Sequence, residues 1–193
     1  MVESIYFMLQ GAFFNNIGDV LKITIPIYLI ILGVKFFSRG KKTIDISRCF
    51  SEFIFLGYIV TVLLVTGILS INLIDLTRFK MVPNLIPLVR TIKDLFNYPF
   101  EVLQQVLLNI VFFIPFGFLF TMLYIKGERS ILKVIRAALL FSSIIEILEY
   151  FAGRYMDIDD ILWNVIGAII GGILYNLICN ILKKFSKNEI ASS

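Results

Sequence analysis

The chain carries five stretches of about 20 mostly apolar residues, the length at which an α-helix crosses the hydrocarbon core of a bilayer. They run roughly Val20–Phe37, Cys49–Leu69, Val102–Ile125, Ile131–Phe151 and Ile161–Leu182. Of the 193 residues 59% are hydrophobic and 17% charged, with a mean hydropathy of +0.90, which leaves no soluble domain of useful size. The expected fold class is all-α: a polytopic transmembrane helical bundle of about five membrane spans. Residues 1–69 form an N-terminal region with the first two spans. Residues 70–185 hold a polar, proline-containing loop and the last three spans, and residues 186–193 are a polar tail.

Orientation follows from the basic residues between spans. Twelve of the 18 Lys and Arg lie on one side, at the end of the first span and in the loop after it, in the loop after the third span and the first turns of the fourth, and in the tail. That side is expected to be cytoplasmic, with the N-terminus outside and the C-terminus inside. The expected location is a bacterial plasma membrane, crossed several times. The net charge of +4 is then a topology signal, and nucleic acid is not an expected partner. The absence of histidine removes the usual general base and the commonest metal ligand. Cys49 and Cys179 sit at span ends on the expected cytoplasmic side, where a structural disulfide is not expected.

Ionisable groups inside a membrane segment are costly and mark functional sites. Here they concentrate in one stretch, SSIIEILEYFAGRYMDIDDILWNVIGAIIGG, from Ser142 to Gly172. At 100° per residue, Ser142, Glu146, Glu149 and Gly153 share one stripe of the fourth span. Asp160, Asn164, Gly167 and Gly171 share one stripe of the fifth, and Gln105 and Asn109 share a face of the third. A short connection makes the last two spans neighbours. Counting inward at 1.5 Å per residue puts Glu146 ~7 Å, Asn164 ~6 Å and Asn109 ~10 Å from the same membrane face. The three groups are therefore expected to meet.

Each group also has a plainer use. Gly167 and Gly171, with Gly172, suit close helix packing. Pro115 and Gly117 suit a kink or contact in the third span. Asp157, Asp159 and Asp160 suit a helix N-terminus. Glu146 and Glu149 suit a structural pair with Arg154 or Asn109. Arg154 suits either a bound phosphate or neutralisation of the acids. Mg²⁺ or Ca²⁺ on Glu146, Glu149, Asp159 and Asp160 is a further alternative, although no metal-loop spacing is present. No cofactor is expected, and whether a metal binds stays open.

Four elements in order resemble a known family. They are Asn84-Leu-Ile-Pro87-Leu; Asn109 through Pro115-Phe-Gly117-Phe; Glu146-Ile-Leu-Glu149 with Arg154; and Asp157-Ile-Asp159-Asp160 followed by Asn164 and Gly167. Their order and spacing resemble the VanZ-like family of teicoplanin-resistance-associated membrane proteins, over more than half of the chain. Glu149 stands where that family usually has Gln. The resemblance implies an association with resistance to lipid-tailed glycopeptides and no agreed biochemical activity.

The expected site is an outward-facing intramembrane polar pocket made of Asn84, Pro87, Asn109, Glu146, Glu149, Arg154, Asp157, Asp159, Asp160 and Asn164. Expected partners are membrane lipids and a lipid-tailed glycopeptide or cell-wall lipid intermediate. The oligomeric state is left open. The rival is a membrane-embedded enzyme with Glu146 or Asp160 as general base on a lipid-linked substrate.

Overall fold

A computed structural model describes residues 16–39, 45–68, 82–125 and 130–192, with side chains described for all of these except residues 39, 130 and 187–192. All regular structure among them is helical: α1 Ile17–Arg39, α2 Ile46–Val65, α3 Val89–Asn97, α4 Pro99–Tyr124, α5 Ser130–Phe151 and α6 Ile158–Ser192. Four segments are long and apolar enough to cross a membrane: Ile17–Ser38, Ile46–Val65, Pro99–Tyr124 and Ile158–Ser186. The remaining long helix, α5, has 22 residues but carries Lys133, Arg136, Glu146 and Glu149. The molecule is an all-α helical membrane bundle.

The polar stretch before the third span is not loop throughout. Within it Val89–Asn97 form the short helix α3, and α4 begins at Pro99, whose missing N–H costs nothing at a helix start.

The bundle is organised on α4 and α6, which run parallel. Ile110 lies against Gly167 and Ile114 against Gly171, while Gly117 lies against Ala168. A methyl group on any of the three glycines would overlap the facing main-chain carbonyl. Only glycine lets the backbones come this close, and in lipid such dispersion contact is a main source of helix association. α5 runs antiparallel beside α6, with Val134 near Gly172 at one end and Asn164 donating to the Ser142 hydroxyl at 2.8 Å nearer the other.

α2 closes the other side of α4. The Tyr58 hydroxyl donates to the Phe112 carbonyl at 2.7 Å, and Phe55 packs on Phe116 and Phe120. Phe116 also stacks on Phe141 of α5, so one aromatic cluster joins three helices. α1 packs on α2: Tyr28 donates to the Cys49 carbonyl, and Lys35 pairs with Glu52. Asp19 and Lys22, three residues apart, pair at 2.8 Å on its exposed face. Both cysteines are free.

Candidate functional site

The acidic hairpin begins where α5 stops. Gly153 takes φ +75, a left-handed conformation that a side chain would strain, and the Gly153 and Arg154 amides return to the carbonyls of Tyr150 and Glu149. The chain then turns back into α6. On the way it meets the segment before α3: the Asn84 amide donates to the Met156 carbonyl, and the Ile158 amide donates to the Asn84 carbonyl, both at 3.0 Å. This two-bond bridge brings residues 73 positions apart into register.

Two aspartates complete the seam. Asp157 Oδ1 accepts from Asn84 Nδ2 at 2.7 Å and from the Asp159 amide at 3.0 Å, so it caps its own helix as well as gripping the loop. Its Oδ2 pairs with Arg90 at 2.9 Å, and the Arg90 guanidinium lies 4.1 Å from the centre of the Tyr155 ring. Asp159, 2% exposed, accepts from the Leu88 amide at 2.5 Å, the Thr91 amide at 3.1 Å and the Thr91 hydroxyl at 2.7 Å. It caps α3 from a different helix. The residue at α3's own N-cap, Leu88, has φ +64 and no side chain able to cap. Three donors satisfy each carboxylate, and the N-terminal ends of α3 and α6 both favour the negative charge.

One turn along α6 the surroundings change. A cavity of about 370 Å³ opens between α2, α4, α5 and α6. Its polar wall is Thr66, Gln105, Asn109, Glu146, Glu149, Arg154, Asp160 and Asn164, and its apolar wall includes Val62, Leu108, Phe112, Phe113 and Ile145. Asp160 accepts from Gln105 at 3.0 Å and Asn109 at 2.6 Å, both neutral amides. Glu146, 2% exposed, accepts from the Asp157 amide at 2.9 Å. Glu149 pairs with Arg154 at 2.7 Å, and Arg154 also donates to the Thr66 carbonyl at the end of α2. The cavity thus holds three carboxylates against one guanidinium, and two of them, Glu146 and Asp160, are met only by neutral donors.

The structure therefore divides the residues that sequence reasoning grouped together. Asn109, Glu146, Glu149, Arg154, Asp160 and Asn164 line one cavity. Asn84, Asp157 and Asp159 lie beside it in the seam, with their hydrogen bonds directed to the loop and α3. Pro87 is exposed in the turn before α3 and is not part of the lining. Among the described residues no three carboxylate or cysteine side chains are grouped so as to hold a metal ion. The set Glu146, Glu149, Asp159 and Asp160 does not form, because both oxygens of Asp159 are turned to α3.

Sequence reasoning left several contributors out. Gln105 was legible, standing one turn before Asn109 on the same face. Thr66 and Val62 of α2 carried no signal, and neither did Arg90 or Thr91, whose roles depend on a contact made across the fold. Ser142 lay on the polar stripe, and its partner proves to be Asn164.

A protein-family model described as VanZ/LLP1 matches residues 27–180, most of the chain and all of the cavity lining. No curated protein and no solved structure matches significantly.

Proposed function

The chain belongs to the VanZ-like family, and from that premise we propose that its cavity receives the head group of an amphipathic molecule drawn from the outer leaflet of a bacterial plasma membrane. The ligand class is a lipid-tailed glycopeptide of the teicoplanin type or a lipid-linked cell-wall intermediate. The protein's role is resistance to such glycopeptides. One observation carries this reading: a single cavity within a membrane bundle has a hydrogen-bonding wall of carboxylates and amides facing an apolar wall of Val62, Leu108, Phe112 and Ile145. A pocket of that kind matches a molecule with a polar head and an acyl tail. Head-group hydroxyls and amines would donate to Glu146 and Asp160, whose present partners are neutral. The tail would remain along the helices in lipid.

The test is susceptibility of a Gram-positive host to teicoplanin and to vancomycin, comparing wild type with Glu146→Gln and Asp160→Asn at matched membrane expression. Protection against teicoplanin alone, abolished by both substitutions, is the expected result. Equal protection against the untailed drug would overturn the ligand class. Undiminished protection by both variants would overturn the site.

A further inference from the structure

Helix α3 is amphipathic in the opposite sense to a helix on a soluble protein. At 100° per residue its polar side chains fill one arc, and Val89, Ile92 and Phe96 fall on the other. Arg90 and Thr91 of the polar arc turn to the protein, where Arg90 pairs with Asp157 and Thr91 donates to Asp159, while Lys93 and Asn97 at its edge are exposed. The apolar arc faces away: Ile92 is 53% exposed and Phe96 84%. On a water-facing surface this arrangement would bury the polar side and wet the apolar one.

We infer that α3 is a membrane-interface helix, held to the acidic hairpin by its polar face and sunk by its apolar face into the acyl chains beside the cavity. Two further observations select lipid as the occupant. First, exposed large apolar side chains recur from Ile86 before the helix through Val89, Ile92, Leu95 and Phe96 to Phe100 on α4, which is itself long and apolar enough to span. Second, the depth is right. α4 has 26 residues, so at 1.5 Å each it is about 39 Å long against a hydrocarbon core of about 30 Å. Its first turn therefore reaches the interface, and only Tyr98 separates it from α3. An amphipathic helix lying in the plane of the interface buries its apolar face at that level. Lys93, exposed at the edge of the polar arc, can extend its ammonium to the head groups.

The position places lipid close to the site. Gln105 and Asp160 border the cavity and also line the crevice beneath Arg90 and Thr91. A molecule moving in from the leaflet along α3 would come to the crevice that shares Gln105 and Asp160 with the cavity. The inference about α3 does not depend on what the cavity binds.

The experiment uses the full-length protein with Cys49→Ser and Cys179→Ser, and one new cysteine at Phe96 or at Lys93. Each carries a polarity-sensitive fluorophore in phosphatidylglycerol/phosphatidylethanolamine vesicles. Quenching is read with nitroxide lipid labelled on the upper part of its acyl chain and with aqueous iodide. The label at Phe96 is expected to be quenched several-fold more by the nitroxide lipid than the label at Lys93, with the order reversed for iodide. Equal iodide quenching at both positions would overturn the inference. So would shielding of Phe96 from both quenchers, which would mean that protein, such as a second copy of the chain, covers the face. Should Phe96→Cys fail to insert, Ile92→Cys on the same arc gives the same reading.

Discussion

Asp159 and Asp160 are adjacent in the chain, yet they belong to different regions with different chemistry. Asp159 points into the seam with α3 and accepts from two main-chain amides and a hydroxyl. Asp160 points toward the cavity and accepts from two side-chain amides. The seam is closed, with each carboxylate oxygen of Asp157 and Asp159 committed to a donor of the fold. The cavity is open, with carboxylates held in place and still able to accept more. Being acidic within a membrane protein is therefore not enough to leave a residue free for a ligand. What matters is whether the fold uses up its hydrogen-bonding capacity.

The contrast can be broken by experiment. The largest effect is expected from Gly167→Leu, which drives a side chain into the Ile110 carbonyl and separates α4 from α6. Overpacking should cost about 3 kcal/mol or more. Seam and cavity should both be lost, seen as a large fall in Tm in detergent. Next comes Asp159→Ala, which leaves the Leu88 and Thr91 amides without their acceptor. A loss of about 2–3 kcal/mol, with faster proteolysis within residues 82–98, is the expected outcome.

Arg90→Met removes one donor from Asp157, which keeps Asn84 and the Asp159 amide. A smaller loss of about 1–2 kcal/mol in thermal unfolding should result. Asp160→Ala should change stability by less than about 1 kcal/mol, since Gln105 and Asn109 border a cavity that can admit water, and it should abolish protection against the tailed glycopeptide. An Asp160→Ala protein as unstable as Asp159→Ala would erase the distinction between the two regions. The smallest effect belongs to Lys22→Ala, an exposed pair with Asp19, which should leave both Tm and susceptibility unchanged.

Much of the cavity was legible because helical periodicity and depth are local properties. Glu146 and Glu149 fall on one stripe of α5, and Asp160 and Asn164 on one stripe of α6, whatever the helices pack against. The glycines were legible as small-residue spacing, although only the structure pairs Gly167 with Ile110 and Gly171 with Ile114. α3 was hidden because nine residues of mixed polarity, preceded by two prolines within six positions, resemble a loop. Its N-terminus is completed by Asp159 from another helix, and no local pattern encodes a cap borrowed from 71 residues away.

By itself, the sequence determined that the chain is a helical membrane bundle, since uninterrupted apolar stretches of spanning length have few other solutions in lipid. It also determined which polar residues share a helix face and which family the chain resembles, because both are written in spacing. Only the tertiary structure decided how those polar residues divide. A carboxylate's role depends on the donors it meets, and those of Asp157 and Asp159 lie on a segment whose position relative to the hairpin is set by packing. The same packing brought Val62 and Thr66 of α2 to the cavity and turned the apolar face of α3 away from the protein.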